Sequence, residues 1–266
     1  MPDPFRPGAF RVVTGDTSQS WVDLSDPTHV DFEYVQRITE ALRLTILTRP
    51  ADERLRVIHL GGGGLSIPRW IAAVRPHTAQ IVCEPDAALT DEVRRKLPLP
   101  RNSGIKVREV DGRTGLDAMP DDYADAVILD AFDGHHVPGD LATSGFFATA
   151  RRVLRPGAVL IVNLTDAGPF RWGKRCVAGL RRSFRHVVLS GEPAVVKGRR
   201  FGNLVLVAAG VELPVAALTR GAAGAAFPYR LLHGRDLDRW VGQAVPFDDA
   251  APERSPGPPT GRTWFS

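Results

Sequence analysis

A doubly wound α/β fold, built on a mainly parallel seven-stranded sheet with a small N-terminal β-hairpin extension, is what this 266-residue sequence predicts. Two observations carry that expectation. Short β-branched runs alternate with segments of helical apolar spacing, and parallel strands need crossover connections of that kind. The run Arg56-Val57-Ile58-His59-Leu60 also feeds straight into Gly61-Gly62-Gly63-Gly64, followed by an apolar stripe at Ile67, Trp70, Ile71 and Val74. That order reads as strand, tight turn and helix. Glycines there permit positive φ and close approach of a ligand, and the free N–H groups of the helix's first turn face the same space. Glycine-rich strand-to-helix turns also serve purely structural ends.

Taken in order, residues 1–30 alternate β-like runs with turn formers, which predicts the hairpin. Phe32, Val35, Ile38, Leu42 and Ile46 recur at helical spacing and predict a helix over 30–47. Strands are expected over 55–60, 80–84, 105–110, 124–130, 159–163, 186–189 and 203–208. Helices are expected over 67–74, 87–96, 144–154 and 174–184. The last two strands, joined by an irregular segment, are expected to pair as an antiparallel hairpin at the sheet edge. Two weak helices follow, over 215–218 and 231–241. The Pro-, Gly- and charge-rich end, 246–266, is expected to be disordered. The resulting division is an extension over 1–50, the α/β domain over 51–210, a helical segment over 211–245 and a tail.

Composition narrows the function classes. An apolar fraction of 43% and a charged fraction of 24% are those of a globular protein, and no apolar run approaches the roughly 18 residues that cross a bilayer. The N-terminus lacks the apolar core of a secretory signal, so a cytoplasmic protein without a membrane partner is expected. Cys83 and Cys176 lie far apart in apolar patterns, and neither they nor the seven histidines form a metal-ligand spacing. Reduced core thiols and no metal are expected. The net charge of +4 comes largely from arginine, in short pairs without aromatic interleaving, so no nucleic-acid partner is expected.

In doubly wound sheets ligands sit outside the carboxyl ends of the strands. Four successive strands here end at special residues: the glycine turn, Glu84, Asp111-Gly112, and Asp130 with Asp133 close behind. An acid about 20 residues past the glycines suits the two hydroxyls of a ribose, and Glu84 stands there; capping of the next helix is its ordinary alternative. Asp111 could accept from an exocyclic amine while Gly112 lets backbone approach a ring, or the pair could be a plain Asp-Gly turn. Asp130 closes an apolar strand, where a partly buried carboxylate can serve as a general base toward an amine. His135 and His136 follow in a loop over the site and could line the substrate side.

With these residues in place, the stretch from about Gly15 to Ala209 resembles the spermidine synthase (polyamine aminopropyltransferase) branch of the Rossmann-like, S-adenosylmethionine-dependent methyltransferase superfamily. The triple glycine, the strand-two acid Glu84, the Asp111-Gly112 pair and the Asp-x-x-Asp run Asp130-Ala131-Phe132-Asp133 carry the resemblance, with Gln19 in the hairpin and Asp31-Phe32-Glu33-Tyr34 at the helix start. It implies a class I methyltransferase-like fold. It also implies S-adenosylmethionine or its decarboxylated form as co-substrate, a small-molecule amine as acceptor, and a homodimer or homotetramer. By the same likeness Asp130 is the base with Asp133 beside it. Gln19, Gly61, Gly62, Gly63, Glu84, Asp111 and Gly112 hold the nucleoside donor, and Tyr34 and His135 face the acceptor. The sequence departs from the family pattern at four places: Gly64 replaces an acid, Ala131-Phe132 a serine pair, Gly134 a proline, and Val35-Gln36-Arg37 a His or Gln followed by Glu.

Overall fold

The computed structural model describes residues 1–14 and 17–259, with backbone alone at 14 and 17–19. In chain order the elements are β1 (Ala9–Thr14), β2 (Thr17–Asp23), α1 (Glu33–Leu44), β3 (Arg56–Leu60), α2 (Ser66–Val74), β4 (Ala79–Cys83), α3 (Ala87–Lys96), β5 (Ile105–Arg108), α4 (Gly112–Asp117) and β6 (Ala124–Leu129). There follow α5 (Ser144–Val153), β7 (Leu154–Asp166), α6 (Arg171–Ser183), β8 (His186–Gly191), α7 (Pro193–Val196), β9 (Gly202–Ala209), α8 (Val215–Gly224), β10 (Arg230–Leu232) and α9 (Gly234–Val241).

β1 and β2 form the expected hairpin, and the remaining strands make one sheet in the order β10-β8-β9-β7-β6-β3-β4-β5. Pairing is parallel from β5 across to β7 and antiparallel beyond it. All seven expected strands are present, and β10 adds an eighth by pairing antiparallel with β8. Three residues are too short to show a period-two pattern, which is why this stretch reads as helix in the sequence. The antiparallel pair β8 and β9 therefore does not end the sheet: β9 lies between β7 and β8, and β10 covers β8.

The inner strands β3, β4, β6, β7 and β9 bury both faces, as a sheet under two helix layers requires. On one side Ile58, Leu60, Val127, Leu129, Leu160 and Val162 pack with Phe146 and Phe147 of α5, Cys176 and Leu180 of α6 and Leu237 of α9. On the other, Val57, Ile128 and Ile161 pack with Ile38 and Leu42 of α1, Trp70 and Ile71 of α2 and Leu218 of α8. Both cysteines are buried and reduced. The partition follows from alternation along each strand. A third cluster joins the hairpin, through Val22, to Leu65, Val82, Val93 and Leu97.

Composition predicted disorder for the last twenty-odd residues, but 246–259 run as a packed strap across α5 and α6. Phe247 is 1% exposed, with the Arg175 guanidinium 4.0 Å from its ring centroid, and its carbonyl accepts from Ser144 N at 3.0 Å. Ser255 is also 1% exposed; its N–H donates to the Val137 carbonyl at 3.1 Å and its Oγ accepts from Val137 N at 2.8 Å. Trp172 Nε1 donates to the Glu253 carbonyl at 2.7 Å. Over 246–259 the expectation of disorder fails because a few well-placed apolar and hydrogen-bonding groups outweigh average composition; 260–266 lie outside the described residues. Phe247→Ala should therefore cost about 3–5 kcal/mol, as for any fully buried aromatic. Urea unfolding measures this, and a loss below about 1 kcal/mol would show that the strap is only loosely held.

Candidate functional site

Register determines which residues meet at the carboxyl edge. Leu60 is level with Cys83 on β4 and Leu129 on β6, Cys83 with Arg108 on β5, and Leu129 with Val162 on β7. The residues one step further, Gly61, Glu84, Asp130 and Asn163, consequently form one row. Backbone bonds extend the ladder to that row: Gly61 N donates to the Cys83 carbonyl and Asp130 N to the Leu60 carbonyl, both at 2.9 Å.

The glycine turn is built against its neighbours. Gly61 has φ +97°, and a Cβ there would overlap the Asp130 carbonyl and come within 2.9 Å of Ala131 Cα. At Gly62 a Cβ would meet Glu84 Cβ at 3.1 Å. Glu84, half-buried, turns back over this bend: its Oε2 accepts from Gly62 N at 2.8 Å and Gly63 N at 3.4 Å, and its Oε1 from Asp86 N at 3.0 Å. Asp86, not Glu84, caps α3, accepting from Leu89 N at 2.8 Å. The Glu84 carboxylate thus stays at the mouth of the turn, on the same side as the Gly62 and Gly63 amides.

Gly64 is closed off by the hairpin. Its N–H donates to Ser20 Oγ at 2.9 Å, and a Cβ would meet Ser20 Cβ at 2.9 Å and a Val12 methyl at 3.0 Å. Arg69 is committed to structure as well. It is 5% exposed and spans the Gly64, Pro98 and Leu97 carbonyls, tying the turn to the end of α3. Burial lowers its pKa to about 10, so the guanidinium stays charged at neutral pH.

Asp130 is the most perturbed carboxylate of the edge. It is half-buried at the end of β6; its Oδ1 accepts from Asn163 Nδ2 at 2.9 Å and its Oδ2 from the Tyr34 hydroxyl at 3.4 Å. Removal from water pushes its pKa up to about 6, against the opposing pull of those two donors. Burial and the neighbouring Asp130 charge drive the Tyr34 phenol well above its ordinary value, so it remains a donor.

The other sequence-predicted residues distribute less tightly. Asp111 is exposed on the same edge, where its Oδ1 caps α4 by accepting from Thr114 N at 2.8 Å; that backbone bond holds its carboxyl below the ordinary range. Gly112 makes room for core side chains, since a Cβ would meet Leu60 Cβ at 3.2 Å. Asp133 is exposed on a tight turn in which Asp133 N donates to the His136 carbonyl at 2.8 Å and His136 N returns the bond at 3.0 Å. His135 is half-buried on that turn, and His136 is anchored to the strap through Nδ1 and the Ser255 carbonyl at 2.6 Å. Gln19 lies on β2, but its side chain is outside the described residues. Sequence reasoning missed Asn163. The signal was available, since it closes the strand expected over 159–163 as a polar residue in an apolar run; in the structure β7 continues to Asp166.

The architecture has counterparts among known proteins. Polyamine aminopropyltransferase of Vibrio vulnificus is 28% identical over 166 residues, 60% of this chain and 52% of that protein. Its counterpart in Chromobacterium violaceum is 26% identical over 149 residues, 56% of this chain and 54% of that one. The crystal structure of a probable spermidine synthase from Corynebacterium glutamicum superposes with a TM-score of 0.87 at 27% identity, covering 99% of this chain and 94% of the other. The chain is spermidine synthase-like.

This spermidine synthase-like chain spans about half the length of the curated relatives it matches. No family model matches it. Its class I methyltransferase-like fold is also that of human methyltransferase-like protein 13, solved in complex with SAH, at a TM-score of 0.59 and 19% identity over 82% of this chain and 96% of that one. Among the described residues no helix is long and apolar enough to cross a membrane, and no group of three or more His, Cys, Asp or Glu side chains could hold a metal ion.

Proposed function

We propose that this chain transfers an aminopropyl or other alkyl group from decarboxylated S-adenosylmethionine, or from S-adenosylmethionine itself, to an amine, with Asp130 as general base. One observation carries the reading. At the carboxyl edge, beside the glycine turn, stands a half-buried carboxylate with its pKa near 6, aimed by Asn163 and Tyr34. Glu84 suits the ribose, the bend from Gly61 to Gly63 the donor's tail, and Asp111 with Gln19 the base and nucleoside side. Asp133 and His135 border the acceptor. The absence of side chains at Gly61 and Gly62 supports this reading, because it lets the bend pack directly on the ends of β6 and β4 and so brings the Asp130 and Glu84 carboxylates up to it.

The chemistry asks little of the protein beyond position. The amine nitrogen forms a bond to the carbon beside the sulfonium, the carbon–sulfur bond breaks, and the pair leaves on sulfur as a neutral thioether. The amine's proton goes to Asp130. Alignment supplies most of the rate, and one carboxylate ionised at neutral pH keeps the nucleophile unprotonated.

Titration calorimetry with S-adenosylmethionine, its decarboxylated form and methylthioadenosine tests the donor. Mass spectrometry of reactions with putrescine and spermidine tests transfer. No binding of any of the three nucleosides would sink the reading. Glu84→Gln should weaken nucleoside binding by roughly ten- to a hundredfold, the worth of a hydrogen bond to a charged acceptor, with unchanged circular dichroism. An unaffected affinity would take the ribose contact away from Glu84.

Methyl transfer from S-adenosylmethionine to a small molecule is the second reading, and Gly64 favours it. The family acid at this position would attract a positive aminopropyl end, and here the hairpin packs directly on the glycine. Preference for the carboxylated donor in the same calorimetry would decide for it. Binding without turnover would identify a non-catalytic nucleoside-binding protein.

A further inference from the structure

Beneath α1 a buried polar seam leads away from Asp130. Asn163 and Thr165 of β7 stand level with Val205 and Asn203 of β9, and Val205 packs on the α1 face, so both polar residues face α1. From above, α1 contributes Tyr34, which donates to Asp130, and Arg37, whose Nη2 donates to the Asn203 carbonyl at 3.3 Å. Arg37, Asn163 and Thr165 are 6%, 1% and 3% exposed. Five buried polar side-chain atoms are without a hydrogen-bond partner among the described residues, and three of them, Arg37 Nε, Asn163 Oδ1 and Thr165 Oγ1, belong to this seam. Each such atom costs about 1–3 kcal/mol when left unsatisfied, so a cluster of them marks a place where a polar guest belongs.

The charges at the two ends of the seam are separate. Asp130 is held by Asn163 and Tyr34, while the Arg37 guanidinium, lowered by burial to about 10, feels Glu33, Tyr229 and Glu192. Glu33 and Glu192 also line a groove of about 450 Å³ outside Arg37, together with Lys197, Arg199, Arg200 and Phe227. Arg200 pairs with Glu192 at 2.6 Å, and cations outnumber carboxylates on the lining by three to two. A molecule with two or three ammonium groups would put one of them against Arg37 and this groove. A molecule with an amine at one end and an anion at the other matches both ends.

We propose that the acceptor carries an anionic group, a carboxylate or one of similar size, which Arg37 and Thr165 receive while its amine sits on Asp130 and Asn163 Oδ1. This rests on the reading of Asp130 as the base. From Asp130 to the Asn203 carbonyl the seam crosses two strand spacings and moves two residues along them, about 12 Å in all, which after a hydrogen-bond length at each end sets the scale of the acceptor as a flexible chain of roughly six atoms between its charged ends. Arg37 is then the specificity-determining residue.

The test uses a matched pair, 6-aminohexanoate and 1,6-diaminohexane, which differ in the charge of one end. Each is titrated calorimetrically into the full chain loaded with methylthioadenosine. The amino acid should bind at least tenfold more tightly than the diamine. Arg37→Gln should lose that tenfold, Arg37→Glu should invert the order, and Arg37→Lys should keep its direction, all with methylthioadenosine affinity unchanged. Equal or tighter binding of the diamine by the wild-type chain overturns the proposal, as does failure to bind either molecule or indifference of the pair to Arg37→Gln. If a variant does not fold, the wild-type comparison decides alone. Failure of methylthioadenosine itself to bind counts against the donor reading and not against this one; the pair is then titrated into the free chain, where the same order of affinities supports the proposal and its absence overturns it.

Discussion

Asp130→Asn is expected to lower group transfer by about 10²–10⁴-fold, the usual worth of a positioned general base, and to leave nucleoside affinity unchanged. Since the Asp130 carboxyl is raised to about 6 by removal from water, wild-type transfer should climb as pH rises through that value and the carboxylate forms. The same shift has a consequence for stability. An acid with a folded-state pKa above its unfolded value of about 4 stabilises the fold below pH 4, and that contribution is lost as pH rises through 6. At pH 8 the wild-type chain therefore holds an ionised group at some cost, about 1–2 kcal/mol after allowance for its partial exposure. Asparagine removes the charge and can still bond Asn163 and Tyr34. Urea unfolding should show Asp130→Asn at least as stable as wild type at pH 8, with the difference closing toward pH 4. A variant that keeps wild-type turnover removes Asp130 as the base; one that is less stable at pH 8 shows that the carboxylate is structural.

Gly61→Ala should be the most damaging single change at the turn. The position has φ +97°, and its added methyl would overlap the Asp130 carbonyl and stand 2.8 Å from the Asp130 carbonyl carbon. Neither neighbour is the free end of a side chain, so the backbone that carries the base must move. Left-handed strain and displaced backbone together should cost about 2–4 kcal/mol and abolish nucleoside binding with transfer. Gly62→Ala offers the contrast, because its backbone is not left-handed and its methyl meets side-chain atoms at 3.1–3.2 Å, Glu84 Cβ and Oε2 and a Val82 methyl, and overlaps no backbone. It should cost less stability and lose nucleoside affinity through Glu84. Thermal unfolding and calorimetry on the two variants separate these outcomes, and equal stability losses would contradict the account of the turn.

Much of this protein is legible in local pattern alone. Strand periodicity, the glycine bend after Leu60 and the acids closing successive strands place Gly61, Glu84 and Asp130 on one edge, because parallel pairing brings strand ends level. How those groups are used came from long-range packing. Tyr34 meets Asp130 from 96 residues away, and Arg69 reaches the Leu97 and Pro98 carbonyls, so the arginine next to the turn braces it. Asp111 proved to be a helix cap, Arg37 entered the seam beside Asn163 and Thr165, and the strap over 246–259 found buried places for Phe247 and Ser255. Periodicity reports which face of an element is buried; the partner that a polar side chain finds there depends on which distant segment packs against that face, and packing of the whole chain settles that.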